Sequence, residues 1–377
     1  MAKERLSALT GVRFLAALMV LLYHLFRHDP GIPTAIRAVI GKGYMGVGLF
    51  FILSGFVLGY NYVSPEGRLA VSLRQFYSAR FARVYPNYLL AFLLFAPVMW
   101  VNPALKQGQL ALTGVTTVTL TQACFNLIQW NVPAWSLSNE AFFYAAFPLL
   151  ILLLRHTGAR WWPMLLIGMW ALALLAPTVY ALRPLPQSSE DIVRFNPLAR
   201  IPEFILGLIL ARIFAQPEPE IQRRALRLLK AAAIIPIVWI TVVCVTDNSI
   251  PRVFYHNGLL DPVWALAIYS LAARKTCWVS RWLSVQWMVL LGESSYALYI
   301  LQSPVLILMK GAWAVLVYGS LSLSGRTSDD RLFTAVYGVS MIVVSVLIFR
   351  YFEMPTRHRL NDWLRRWSRG KAAYAAR

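Results

Sequence analysis

Charge is scarce in this chain of 377 residues, and negative charge is scarcer still: 14% of residues are charged, with 16 acids against 36 lysines and arginines. Soluble domains carry roughly 25% charged residues, so this composition excludes an ordinary water-solvated globule. Cysteine is nearly absent as well. Cys124, Cys244 and Cys277 stand far apart with no paired spacing. That pattern supports neither a disulfide framework nor a zinc site, and no metal is expected. There is no P-loop, no G-x-G-x-x-G and no H-E-x-x-H, so nucleotide hydrolysis, dinucleotide cofactors and zinc proteolysis lose their usual support. A G-x-S-x-G motif is missing too. No internal repeat or low-complexity tract is evident.

What the chain does have is apolar length. Hydrophobic residues make up 58% of it, and the mean hydropathy is +0.57. Apolar stretches of about 17 to 25 residues recur, each long enough to cross roughly 30 Å of hydrocarbon as helix. They predict an all-α, polytopic integral membrane helical bundle of about ten transmembrane helices, at 11–27, 45–63, 84–101, 139–155, 161–181, 200–215, 230–247, 257–273, 286–309 and 332–352. The net charge of +20 is spread over short segments between these stretches, which excludes a nucleic-acid patch and reads as topology signal. With the N-terminus inside, about 24 basic residues fall in cytoplasmic segments and about 11 outside, so both termini are expected in the cytoplasm.

Arg13 interrupts the first apolar run, and no small-residue cleavage site precedes Arg27-His28-Asp29-Pro30, so the first helix is expected to be retained rather than cleaved as a signal peptide. The segment from Ala104 to Trp130 is apolar but carries Thr113, Thr116, Thr117, Thr119 and Thr121. A crossing there would place the Arg223–Lys230 cluster outside, so an outer loop or re-entrant element is expected. The expected division is a transmembrane domain over 1–355 and a basic cytoplasmic tail over 356–377. In that tail Trp363 and Trp367 interleave with cations, either as a helix on the anionic inner leaflet or as a disordered end.

Three groups of polar residues stand where a membrane disfavours them. Arg13 and His24 are eleven residues apart, which on a helix returns to nearly the same face about 16 Å along. A charge at the bilayer centre costs about 2.5 to 3.5 kcal/mol, so the pair either snorkels to the two surfaces or faces a cavity. In the second case His24 is a general base and Arg13 a fixed positive charge. Glu140 follows Pro133, Ser136 and Ser138, a plausible helix start that would put the carboxylate in the first turn. There it either caps the helix or orients the His24 imidazole. Arg74, Arg80 and Arg83 precede the third span, with Arg80 and Arg83 on one face. They either enforce topology or bind a polyphosphate. In Phe50-Phe51-Ile52-Leu53-Ser54-Gly55-Phe56, small Ser54 and Gly55 permit close helix approach. Arg200-Ile201-Pro202-Glu203-Phe204 is a further charged helix start.

In this order the segments resemble the acyltransferase-3 family of membrane acyltransferases. The resemblance rests on Arg13 and His24 with ten residues between them, on Phe50 to Phe56, and on Arg80 and Arg83 ahead of Val84-Tyr85-Pro86. It continues through Trp135-Ser136-Leu137 with Glu140 and Tyr144, then Pro202-Glu203-Phe204 with Gly207. Ser295-Tyr296 with Tyr299, and Glu353 with Pro355, complete it. Asn139 and Gln302 depart from the pattern, and no proton-transfer role carries over to Gln302.

The resemblance implies a ten-helix bundle in the inner membrane that takes an acyl group, usually acetyl from cytoplasmic acetyl-CoA. The group passes to a hydroxyl of an exopolysaccharide or other cell-envelope glycan, free or lipid-linked. His24 is then the catalytic histidine and Arg13 its partner. Arg80 and Arg83, with Arg74 beside them, contact coenzyme A, and Glu140 is a second catalytic candidate. A fused extracytoplasmic domain is not expected. The rival from another class is a transporter or flippase of a lipid-linked glycan, since intramembrane Arg, His and Glu also mark substrate pathways.

Overall fold

The computed structural model describes residues 4–27, 29, 31–100, 107–127, 131–183, 186–246, 250–318 and 331–375. Among the described residues the regular elements are helices, and β structure is confined to one antiparallel bridge between Val63 and Leu69. The order is α1 (Ser7–Phe26), α2 (Thr34–Ile40), α3 (Gly46–Tyr62), α4 (Leu73–Trp100), α5 (Gln107–Val118), α6 (Trp135–Arg155), α7 (Trp162–Leu182) and α8 (Gln187–Phe195). It continues with α9 (Pro197–Phe214), α10 (Pro219–Thr246), α11 (Arg252–His256), α12 (Asp261–Ala273), α13 (Trp278–Leu283), α14 (Gln286–Tyr318), α15 (Arg331–Ile348) and α16 (Met354–Ala375). A π-helical turn, Phe349–Glu353, joins the last two.

All ten segments expected to span are helical, although positions 101 and 247 lie outside the described residues. Six helical stretches among the described residues are both long and apolar enough to cross a membrane: Ser7–Phe26, Thr34–Tyr62, Val132–Arg155, Ala159–Leu182, Gln286–Leu316 and Arg331–Leu364. Two of the others fall short for identifiable reasons. α12 has 13 residues, about 20 Å of helix. α9 carries Arg200, Glu203 and Arg212, three charges within 18 residues. Lipid contact is written on the surface of the apolar helices. α7 buries five of its 21 residues and exposes Leu172, Leu175 and Val179, an arrangement that water would penalise and hydrocarbon does not.

The helices form two compact units, Met1–Ala70 with Leu120–Leu127 and Trp135–Gly292, and Val71–Thr119 with Ile128–Ala134 and Glu293–Arg377. In the first, α3 and α9 cross at backbone contact. A Cβ at Gly55 would lie 2.0 Å from the Phe204 carbonyl oxygen, and one at Gly207 would lie 1.9 Å from that of Ile52. Gly55 therefore behaves as its size predicts, with Gly207 as the reciprocal notch.

The same crossing encloses charge. Arg200 has no exposed surface, and its Nη2 lies 2.9 Å from Oε2 of Glu203, itself 1% exposed. Nη1 donates to Asn257 Oδ1 at 2.7 Å and to the His256 carbonyl. The guanidinium lies 5.2 Å from the Phe51 ring and 5.9 Å from Trp135, and it acts electrostatically on buried Asp261. Arg200 thus ties α3, α6, α9 and the start of α12 together.

In the second unit, polar side chains donate to backbone carbonyls in buried and part-buried positions. Tyr88 and Tyr85 donate to the carbonyls of Thr117 and Val118, which end α5. Tyr296 donates to Val84, Asn131 to Ile300 and Tyr337 to Gln302. Asn87 donates to Glu353 in the π-helical turn. The 12-residue α5 is about 18 Å long, too short to cross. Its threonines fold their hydroxyls back onto the helix, Thr116 to Leu112 and Thr119 to Val115. Residues 104–106 and 128–130 of that expected loop lie outside the described residues. The basic tail is helical in α16, which packs on α4. Trp363 is exposed, whereas the Trp367 side chain lies outside the described residues.

Two predictions follow from the first unit's packing. Gly55→Leu destabilises the protein by at least about 3 kcal/mol, because backbone cannot retreat, whereas Gly168→Ala, with nothing within 4 Å of its added methyl, stays within about 1 kcal/mol. Glu203→Ala leaves a buried guanidinium without its ion-pair partner and costs about 3–5 kcal/mol, against at most about 1 kcal/mol for Lys275→Ala in the exposed Lys275–Glu4 pair. Thermal unfolding in detergent, followed by size-exclusion fluorescence, measures all four.

Candidate active site

The last turn of α1 carries His24, half-buried, with its ring 5.0 Å from that of the preceding Tyr23 and edge-on to it. The imidazole makes no hydrogen bond to another described residue. Arg13 lies eleven residues earlier on the same helix and is also half-buried. The apolar pattern therefore does place both on one helix.

Glu140 departs from the expected position. Pro133 sits in a 3-10 turn, Val132–Ala134, so α6 begins at Trp135 and its first turn holds no acid. Glu140 falls in the second turn, away from the unsatisfied amides, and the capping role is excluded. Instead Ser54 Oγ of α3 donates to Glu140 Oε1 at 3.2 Å, and the Tyr144 hydroxyl donates to the same oxygen. Ser54, expected only as a small residue, is thus a partner of the carboxylate. No hydrogen bond joins Glu140 to His24, so the carboxylate does not orient that imidazole directly. Ser138 looks away from its own helix. Its hydroxyl donates to the Leu120 carbonyl at 2.7 Å and accepts the Ala123 amide at 3.2 Å, pinning a turn in which Leu120 has φ of 58°.

Arg74, Arg80 and Arg83 occupy the first turns of α4, in the other unit. Arg80 and Arg83 are half-buried and share a face; Arg74 is exposed and lies about 120° around the helix from Arg80. Arg83 makes no ion pair or hydrogen bond with a described residue. A pair of guanidinium groups on one face can grip phosphate oxygens bidentately, and Arg74 is the outlier of the three. Gln302, by contrast, is structural: it is buried, and its Nε2 donates to the Tyr299 carbonyl of its own helix at 2.8 Å.

Sequence reasoning missed the neighbours of His24. Tyr23 is buried and meets Tyr44 edge-on at 5.3 Å, Tyr44 stacks on buried His256 at 4.3 Å, and Arg252 donates to the Tyr23 hydroxyl at 2.5 Å. The available signal was Arg252 and His256 at i, i+4 around Phe254-Tyr255, a charged turn between apolar stretches.

Residues 6–350 match a family model described as an acyltransferase domain. Similar proteins include acyltransferase MdmB of Streptomyces mycarofaciens, 29% identical over 91% of this chain and 88% of the relative. Protein 2 in the picA locus of Rhizobium radiobacter is 34% identical over 36% of this chain and 78% of its own length. Peptidoglycan O-acetyltransferase OatA of Listeria monocytogenes is 21% identical over 94% of this chain and 56% of that protein. No solved structure matches. Since the family match takes in α1 through α15, with His24, Arg13, Glu140 and the three α4 arginines inside it, the chain belongs to the acyltransferase-3 family of acyltransferases.

Proposed function

We propose that the protein is a membrane O-acyltransferase of the cell inner membrane that moves an acyl group, acetyl first among them, from cytoplasmic acyl-CoA to a hydroxyl of an exopolysaccharide or other cell-envelope glycan. The observation that carries this reading is His24. A half-buried imidazole with no hydrogen bond to a described residue, on a helix that also carries Arg13, supports a role in taking a proton from a substrate over one in holding the fold. The name of the Listeria relative, a peptidoglycan O-acetyltransferase, favours a glycan acceptor and acetyl as the group transferred.

In the proposed reaction, Arg80 and Arg83 grip the donor's phosphates, and Arg74 adds outer positive charge. His24 removes the proton of the acceptor hydroxyl as its oxygen attacks the thioester carbonyl. Arg13 stabilises the oxyanion that forms. Collapse of the tetrahedral intermediate breaks the carbon–sulfur bond, and the proton held by His24 passes to the departing thiolate. The ester and free coenzyme A are the products, so atoms and charge balance. Glu140 holds the acceptor: its Oε1 is occupied by Ser54 and Tyr144, and Oε2 remains for a substrate hydroxyl.

Membranes supplied with radiolabelled acetyl-CoA test the reading. His24→Ala should lower label transfer to glycan by about 10²–10⁴-fold at equal expression. Arg83→Ala should raise the apparent KM for acetyl-CoA about tenfold with little change in kcat, as loss of a charge-assisted contact requires. Undiminished transfer by His24→Ala rejects the assignment, and acceptor translocation without donor would favour a transporter.

A further inference from the structure

Cations and aromatic rings gather beside His24 without a part in the proton transfer just described. Arg252, exposed, donates Nη2 to the Tyr23 hydroxyl at 2.5 Å and lies 5.0 Å from the Tyr44 ring. Arg27 lies 4.7 Å from the Tyr23 ring, and Arg194 lies 4.5 Å from that of Phe195. The rings are continuous from Tyr23 through Tyr44 to His256, which Phe195 meets edge-on at 6.0 Å.

Charge is out of balance here. Arg194 pairs with Glu190 and Asp191, each at 3.4 Å, whereas Arg27 and Arg252 form no salt bridge among the described residues. Burial, and then the nearby charge of Arg252, lower the pKa of Arg194 against the opposing pull of the two acids. Positive charge thus accumulates beyond what the local carboxylates neutralise. The second observation is His256. It is 6% exposed, neither ring nitrogen has a hydrogen-bond partner, and the charges of Arg194 and Arg252 reach it. A buried polar group left unmet costs about 1–3 kcal/mol, a cost that a ligand oxygen accepting from the imidazole N–H would reduce.

We propose that Arg252, Arg27, Arg194 and His256 form an acceptor subsite for an oxyanion, so that the acceptor carries a phosphate or carboxylate close to the hydroxyl that is acylated. Guanidinium groups recognise either oxyanion bidentately, and Arg252 is held by the residue adjacent to the proposed base. Anion binding at Arg252 therefore delivers the neighbouring hydroxyl to His24. Two sources share this chemistry: the phosphate of a lipid-linked glycan, and the carboxylate of an acidic sugar. The inference rests on the acyl-transfer reading and names its acceptor class.

Membranes with and without the protein are incubated with radiolabelled acetyl-CoA, and the protein-dependent labelled product is run on an anion exchanger before and after mild acid, which cleaves glycosyl phosphates. The expected product is retained. Retention lost after acid assigns a phosphate link, and retention kept assigns a carboxylate. A labelled product that is neutral before acid overturns the subsite. With solubilised envelope glycan as acceptor, Arg252→Gln should raise the acceptor KM at least tenfold while the rate at saturation changes less than threefold, and Arg252→Lys should restore part of the loss. An unchanged acceptor KM in a folded Arg252→Gln protein also overturns the proposal. Absence of any protein-dependent label rejects acyl transfer itself, a distinct outcome.

Discussion

A guanidinium removed from water is tolerated only where the surrounding protein supplies counter-charge and hydrogen-bond acceptors, and Arg200 imposes that condition on the first unit. Its fork reaches Glu203, Asn257 and the His256 carbonyl, and its faces lie near Phe51 and Trp135. These partners come from α3, α6, α9, the last residue of α11 and the residue that follows it. Ion pairs of this kind add little net stability relative to an apolar core, because desolvation offsets the attraction. What this one supplies is constraint: Arg200 keeps its counter-charge and its acceptors only while these helices stay together. His256 is fixed by the same contact, since its carbonyl holds Arg200 while its ring stacks on Tyr44.

The glycine crossing of α3 and α9 makes that enclosure possible. The two backbones are in contact at Gly55 and Gly207, where an added Cβ would meet a carbonyl oxygen at 2.0 Å and 1.9 Å. Ser54, one residue from the notch, reaches α6 and meets Glu140 there. A larger residue at the notch would separate Ser54 from the carboxylate as well as loosening the helices.

The second unit solves the same problem with hydroxyls and amides instead of charge. Tyr85, Tyr88, Tyr296, Tyr337 and Asn131 each donate to a main-chain carbonyl, which is what a medium without water demands of irregular or interrupted backbone. The residues that carry the family resemblance there, Tyr296 and Glu353 among them, are engaged in holding α4, α14 and the π-helical turn. Arg80 and Arg83 lie on the basic opening of α4.

Apolar length and period are local properties, and they were enough to place helices at all ten expected positions, to set Arg13 and His24 on one helix and to group Arg80 with Arg83. The ordered motifs identified the family for the same reason, since each is a short string whose spacing survives without knowledge of its neighbours. Among the described residues six helical stretches meet the demands of both length and apolarity, and the charge inside α9 and the shortness of α12 become meaningful only once helix ends are known. The second-turn place of Glu140 depended on a 3-10 turn at Pro133, and its Ser54 partner is 86 residues away in the chain. Arg252 lies 229 residues from Tyr23, and no periodicity announces a contact at that range. Local pattern thus decided which segments are helical and which residues are candidates. The meeting of distant residues was left to packing, because burial satisfies polar groups with whatever partner the crossing helices bring within reach.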